Sequence, residues 1–234
     1  MRAEFENKEW DKVHQPCPLC DSSDAVGINK DRSAKCFSCD KFMPNYDDAS
    51  QGKDMSSVTP IATAVKREVN DIAGTYSALS DRKIKLETAK KYGVKAQHDL
   101  QGRVTKHFYP YFNGHELSAT KCRIVEGKGF FLQGTYSDTG LFGQQLFKSG
   151  KYVTITEGEC DAMAAYELLG SKWAVVSIKR GAGNATKDIK ESLEFFDDFE
   201  NVIIAFDNDK AGKEASIKVA RLFKPSKARI MTLP

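Results

Sequence analysis

The last third of the chain alternates short apolar, β-branched runs with amphipathic stretches. Residues 152–156 (Tyr-Val-Thr-Ile-Thr), 173–178 (Trp-Ala-Val-Val-Ser-Ile), 202–206 (Val-Ile-Ile-Ala-Phe) and 228–233 (Ala-Arg-Ile-Met-Thr-Leu) suit parallel strands buried on both faces. Between them Ile189, Leu193 and Phe196 recur at i, i+4 and i+7, as do Ala215, Val219 and Leu222, the spacing of one helical face. Strand and helix in alternation predict an open parallel α/β sheet over residues 151–234. Upstream the pattern changes. Residues 103–133 carry short β-like runs (His107-Phe108-Tyr109, Gly129-Phe130-Phe131-Leu132) separated by Asn-Gly and Glu-Gly turn signals. Residues 76–94 read as two short helices, the second closing at Gly93, which tolerates a left-handed C-cap. Residues 71–150 are therefore expected to form a small mixed α+β subdomain.

From residue 44 to 70 the chain turns to Asp, Ser, Thr, Gly and Pro with few large apolar side chains, the composition of a flexible linker. It sets apart a module of residues 1–43 too small to bury a core of its own. That module holds four of the six cysteines as two Cys-x-x-Cys pairs, Cys17 with Cys20 and Cys36 with Cys39, fifteen residues apart. Each such turn presents two thiolates to one ion, and two turns from adjacent hairpins give the zinc-ribbon layout. The competing reading is four ordinary or disulfide-bonded cysteines, and the absence of a secretory signal weighs against it. Structural zinc is thus expected, supplying most of the module's folding free energy. Cys122 reads as a surface residue and Cys160 as a buried helix residue. Between the two pairs, residues 30–35 offer one acid and three cations, able to read a base edge or simply to stay solvated.

Of 234 residues, 41% are hydrophobic and 29% charged, ordinary values for a globular chain. No apolar run approaches membrane-spanning length and the first ten residues, three of them acidic, hold no hydrophobic stretch, so a membrane partner is excluded and a cytoplasmic location expected. The net charge of +3 is unevenly spread. Residues 82–128 carry 11 Lys and Arg against 4 Asp and Glu, whereas residues 1–81 are net acidic and residues 129–234 neutral. A local positive block beside a neutral domain suits a polyanion track; a solvated, Lys-rich surface is the plainer alternative.

Acidic residues follow two of the expected strands directly. Glu157 comes after Thr156, and Asp207-Asn208-Asp209 comes after Phe206. Ligands of open parallel sheets bind at the carboxyl ends of strands, so these acids share one rim if the two strands are neighbours. Three carboxylates without histidine or thiolate make a hard oxygen site for magnesium or manganese, suited to phosphoryl chemistry. Helix N-capping is the alternative, and Asp161 reads as a cap.

The run Thr156-Glu157-Gly158-Glu159-Cys160-Asp161-Ala162-Met163, followed by Ala205-Phe206-Asp207-Asn208-Asp209-Lys210-Ala211-Gly212, resembles the TOPRIM domain. With a zinc ribbon first and a linker after it, nearly the whole chain resembles the primase half of the bifunctional primase-helicases of short-tailed phages. Tyr76-Ser77-Ala78-Leu79-Ser80 with Arg82, and Leu141-Phe142-Gly143, are similar to further motifs of that family. The resemblance implies DNA primase activity: template-directed synthesis of short RNA from NTPs on single-stranded DNA. It implies structural zinc on Cys17, Cys20, Cys36 and Cys39, and catalytic magnesium on Glu157, Asp207 and Asp209. It implies nucleotide and template contacts from Lys121, Arg123 and Lys128, and a replicative helicase, fused or separate, as partner. Because the family's ribbon reads the template, Asp31, Ser33 and Lys35 become the template-recognition candidates.

Three departures stand out. Ser33 lies near a position where relatives often carry His, and Lys179-Arg180-Gly181 stands where they tend to have Gly-His-Gly. The family's Lys-Asp-x-Asn motif lies beyond Pro234, so the C-terminus is expected to be truncated. No Walker A pattern occurs, so helicase ATPase activity is not expected of these residues. A recombination-mediator clamp, a non-enzymatic DNA binder with a zinc site and a TOPRIM fold, is the alternative. It is set back because that family places its zinc site after a helix-hairpin-helix segment. A TOPRIM nuclease is a third reading, with no need of a tethered ribbon.

Overall fold

A computed structural model describes residues 11–20, 22–36, 38–39, 41–52 and 72–232. The chain divides into two compact units, Met1–Ala64 and Val65–Pro234.

The first unit is a four-stranded antiparallel meander: β1 (Lys12–Gln15), β2 (Val26–Ile28), β3 (Ala34–Cys36) and β4 (Phe42–Met43). Its core is minimal: Val26, Ile28, Ala34, Met43 and Ala49 around the buried thiols of Cys17 and Cys36. The stretch expected to be linker begins instead with a helix, α1 (Tyr46–Ser50). Asn45 caps it by accepting the Asp47 and Asp48 N–H groups, the Tyr46 hydroxyl donates to Pro16 O at 2.7 Å, and Arg32 pairs with Asp47. Polar composition hid this helix because its stability comes from these contacts and one buried alanine rather than from an apolar stripe. The rest of the expected linker, residues 53–70, lies outside the described residues.

The second unit opens with a 3-10 turn (Ser80–Arg82) and α2 (Leu86–Tyr92), which closes at Gly93 with φ 73° as its residue type allows. Where two helices were expected, the first is this single turn. Four antiparallel strands follow in simple order: β5 (Lys95–His98), β6 (Val104–Asn113), β7 (Glu116–Ile124) and β8 (Phe130–Gly134). The Asn-Gly signal is the β6–β7 hairpin turn, with Asn113 opposite Glu116.

Cys122, expected at the surface, is 1% exposed and packs with Ile72 and Phe108. Strand period explains the correction: its neighbours Lys121 and Arg123 face the other side of β7.

The α/β part comprises β9 (Gly150–Thr156), α3 (Glu159–Leu168), β10 (Ala174–Ser177), α4 (Ala185–Glu191), α5 (Leu193–Asp197), β11 (Phe199–Ala205), α6 (Lys210–Ala220) and β12 (Ala228–Ile230). All pairings in this sheet are parallel, in the order β10-β9-β11-β12. The expected strands are all present: β9, β10 and β11 are buried as expected, with Val153, Ile155, Val175, Val176, Val202 and Ile204 at most 1% exposed, whereas β12 lies at the sheet edge with Ile230 47% exposed and is not the doubly buried strand its apolar run implied. The Ile189–Leu193–Phe196 stripe spans two helices rather than one, broken at Ser192, whose backbone (φ −120°, ψ 17°) is not helical.

A second apolar cluster joins the small antiparallel sheet to α3 and β10. Tyr92 stacks on Phe142 at 5.4 Å, meets Tyr166 edge-on at 5.6 Å and donates its hydroxyl to Val175 O at 2.9 Å. Each such ring pair contributes about 1 kcal/mol beyond its buried area. The two sheets of this unit therefore share a wall, and the site lies along it.

Candidate active site and metal centre

In the first unit the four cysteine sulfurs lie within 4.8 Å of one another, the one such cluster of potential metal ligands among the described residues. Cys17 and Cys39 Sγ are 3.9 Å apart, and Cys20 and Cys36 Sγ 3.7 Å. Four thiolates at the ~2.3 Å Zn–S bond length have tetrahedral edges of about 3.75 Å. Backbone N–H groups of Leu19, Ser38 and Cys39 point at the sulfurs of Cys17 and Cys36, the donors a bound thiolate accepts. Burial pushes the Cys36 thiol far above its ordinary value, so ionising it calls for a cation. The residues fit zinc.

Of the expected template readers, Asp31 and Ser33 sit on the turn between β2 and β3. Ser33 is 8% exposed; its hydroxyl donates to Asp31 Oδ1 at 2.6 Å and accepts from Asn29 Nδ2 at 2.9 Å, while its N–H donates to the same Asp31 oxygen. Ser33 is thus satisfied within the turn, while Asn29 Oδ1 is buried with no hydrogen-bond partner. Lys35 is half-buried on β3, register partner of Phe42, which at 60% exposure was not singled out in the sequence.

In the second unit the strand order reverses between β9 and β11. From β9 the chain crosses to β10 on one side, then returns to β11 on the other, leaving a crevice at their carboxyl ends. Thr156 and Ala205 are register partners there, so Glu157 and Asp207 leave adjacent strands together. Glu157 Oε1 accepts the Ala182 N–H at 3.3 Å, while Oε2 is buried with no hydrogen-bond partner. Burial first, then the charges of Asp207 and Asp209, pushes the Glu157 carboxyl above its usual range.

Asp209 is the N-cap of α6 and accepts the Gly212 N–H at 2.7 Å, so the capping reading holds for one of its oxygens. Asp207 stays exposed. Gly212 lies against the same turn: a Cβ there would come 2.3 Å from Asp207 O. Asp161, in the first turn of α3, is raised by partial burial of its carboxyl and by Asp207 and Glu159. Glu157, Asp207 and Asp209 are close enough for the two aspartates to raise the Glu157 carboxyl, but their oxygens are not drawn to within 4.8 Å of one another as the cysteine sulfurs are; by donor chemistry the three are a hard oxygen set of the kind magnesium takes.

Beside the rim lies a group the spacing did not disclose. Glu159, 6% exposed, accepts the Tyr111 hydroxyl and the Lys121 ammonium, each at 2.6 Å. Lys121 also lies 5.0 Å from the Phe130 ring centre, and Arg123 lies over the same ring. Two of the three expected basic residues thus share one face of β7; the side chain of Lys128 lies outside the described residues.

Lys179 is 1% exposed, donates to Thr139 O at 2.7 Å and lies 3.3 Å from Glu191. Its own carbonyl accepts from Tyr136 at 2.6 Å and from Lys121 at 3.4 Å. Arg180 is held by Asp188 through two nitrogens. The Lys-Arg-Gly departure is therefore a buried clamp, invisible in sequence because Thr139, Asp188 and Glu191 meet it only in the fold. Among the described residues no helix is long and apolar enough to cross a membrane.

Three comparisons bear on this site. The Toprim-like family matches residues 154–234. A DNA helicase/primase of Enterobacteria phage T3 is 32% identical over 224 residues, covering 94% of this chain and 39% of that protein. The chain thus spans about two fifths of that relative's length. The crystal structure of the primase fragment of bacteriophage T7 primase-helicase matches at TM-score 0.64 and 32% identity, over 94% of this chain and 90% of the fragment. A second T7 structure holds primase domains with the lagging-strand DNA polymerase, an RNA/DNA hybrid and dTTP. It matches at TM-score 0.64 and 34% identity, over 71% of this chain and 86% of that one. Identity of 32% over 94% of this chain, with a shared fold over nearly the full length of both this chain and the solved fragment, shows the family: this chain belongs to the family of the primase fragments of phage primase-helicases.

Proposed function

We propose that this chain is a DNA primase module of phage replication, joining NTPs into short RNA on single-stranded DNA in the host-cell cytoplasm, alongside a fused or separate replicative helicase. The observation that carries the catalytic part is the buried, unpartnered Oε2 of Glu157 beside Asp207 and Asp209 at the β9–β11 switch point. Glu157, Asp207 and Asp209 would hold magnesium, which would supply neutralisation of the negative charge that develops in phosphoryl transfer.

The protein's own groups do the positioning. Lys121, fixed between Glu159 and the Lys179 carbonyl, and Arg123, over Phe130, present positive charge to the nucleotide and template from β7; Lys128 joins them. The ribbon, zinc-bound through Cys17, Cys20, Cys36 and Cys39, reads the template, with Asp31 and Lys35 as readers and Ser33 shaping the turn between them.

Incubation of single-stranded templates with labelled NTPs and magnesium tests the reading. Short RNA products are expected, and they should disappear with Asp207→Ala. Template binding without any RNA would transfer the chain to the clamp reading, which none of the relatives favours.

A further inference from the structure

The two cations of β7 hold their charge in different ways. Lys121 is ion-paired: its ammonium lies 2.6 Å from Glu159 Oε1 and 3.4 Å from the Lys179 carbonyl. Arg123 forms no hydrogen bond or ion pair among the described residues, and its Nε is buried with no hydrogen-bond partner. Strand register accounts for its neighbours. Arg123 stands between His107 on β6 and Phe130 on β8, each its direct cross-strand partner. His107 has nothing left to offer, since its Nε2 lies 2.9 Å from Asp81 Oδ1 and its Nδ1 2.8 Å from the Tyr109 hydroxyl. The half-buried Phe130 remains, its ring centre 5.8 Å from Arg123 Cζ and 5.0 Å from Lys121 Nζ.

An aromatic face carries negative charge at its centre and attracts both cations. The relative strengths decide which of them depends on it. A hydrogen-bonded ion pair to a buried carboxylate outweighs one cation–π contact, so Lys121 would stay with Glu159 if the ring were removed. Arg123 would not, because the ring is the one partner given to its charge among the described residues. The contact also sets its orientation. Nε is the shielded edge of the guanidinium, whereas the terminal nitrogens are not shut away in the same manner. Their N–H groups form a fork that matches two oxygens of a phosphate.

Contacts tie this cluster to the acidic rim. Lys121, on the same ring, touches the carbonyl of Lys179, just past the carboxyl end of β10. Three residues further on, the Ala182 N–H donates to Glu157 Oε1 at 3.3 Å. The ring and its cations therefore border the loop that closes one side of the proposed magnesium site.

We propose that Phe130 is a positioning residue: its ring holds the Arg123 guanidinium with the terminal N–H groups free to take a phosphate. That phosphate belongs to the incoming nucleoside triphosphate or to the template backbone. The inference rests on the primase reading and deepens it by naming the residue that orients one of its cations.

Primer synthesis and single-stranded DNA binding by Phe130→Leu, Phe130→Tyr, Arg123→Ala and the Phe130→Leu/Arg123→Ala double variant test it. Phe130→Leu keeps the apolar bulk and loses the ring, which should cost about fivefold, the scale of one cation–π contact. If the ligand is the triphosphate, that loss falls on the NTP KM, with kcat changed far less and DNA affinity kept. If it is the template backbone, the loss falls on DNA affinity, and the salt slope drops by about 0.7, one single-strand phosphate. Phe130→Tyr should keep wild-type values, and Phe130→Leu should add nothing once Arg123 is gone. A loss in folded Phe130→Leu confined to kcat, no loss at all, equal impairment of Phe130→Tyr, or a full further loss in the Arg123→Ala background would each overturn it. Should Phe130→Leu not fold, Phe130→Met takes its place with the same expectations. If the wild type makes no RNA at all, the primase reading has failed separately. Equilibrium binding of magnesium-ATP and of single-stranded DNA then decides: weaker binding of either by Phe130→Leu upholds the positioning role, and equal binding of both refutes it.

Discussion

Thr156 on β9 and Ala205 on β11 are register partners, and the chain beyond each turns into a carboxylate that the other must tolerate. Glu157 shows the strain electrostatically, its carboxyl raised by burial and by Asp207 and Asp209. A group with a raised folded-state value favours folding when protonated at low pH and loses that contribution as pH rises through that value. At neutral pH the crowded acids therefore oppose folding. Asp207→Ala should abolish primer synthesis, leave single-stranded DNA affinity nearly unchanged and not lower the melting temperature without magnesium. Magnesium should raise the melting temperature of the wild type more than that of the variant. Full primer synthesis by the variant would refute the assignment.

The ribbon should contain about one zinc per chain, because its four sulfurs lie within 4.8 Å of one another and two of their separations, 3.9 and 3.7 Å, match a tetrahedral edge. Cys36→Ser should release the metal and unfold the first unit while the second keeps its cooperative transition. Metal analysis and limited proteolysis read both. Protein purified without chelators that holds no zinc would contradict the assignment.

Lys121→Ala should destabilise the second unit by about 2–3 kcal/mol, since it strands Glu159 at 6% exposure with Tyr111 as its remaining partner. Glu159→Gln, which keeps an acceptor for Tyr111, should lose less. Denaturant midpoints at constant slope measure the difference.

His107 sets a pH dependence of opposite sense to Glu157. Its folded-state value lies below the ordinary 6.5, so the unfolded chain binds the proton more readily and stability falls as pH drops through that region. Between pH 7 and pH 5 the wild type should lose melting temperature relative to His107→Gln, which cannot titrate. Parallel curves for the two proteins would show that the ring is not held neutral.

Much of this was legible in the sequence because the strands of a parallel sheet are written as unbroken apolar runs, and because Cys-x-x-Cys pairs and acids at strand ends are local signals. The failures were all tertiary or periodic. Helix α1 rests on Arg32–Asp47 and Tyr46–Pro16, contacts no window can see. Cys122 looked exposed because it is flanked by two cations, and reading β7 at period two would have buried it. The Asp81–His107 pair joins residues 26 apart across helix α2 and strand β5, so only the fold could disclose it.

Gly212 bears on how this site can change over time. With 2.3 Å between a would-be Cβ and Asp207 O, no side chain of any chemistry fits there without prising the acidic turn off the helix that follows it. The Asp207 side chain stays exposed and can be truncated without removing a cap or a buried contact, unlike Asp209, which caps α6, or Glu157, whose carboxyl is buried. Mutational scanning should therefore return two populations of inactive protein: well-folded ones at Asp207, and misassembled ones at residue 212. Descent from an active ancestor leaves residue 212 essentially no alternatives, although that glycine has no side chain with which to touch a substrate.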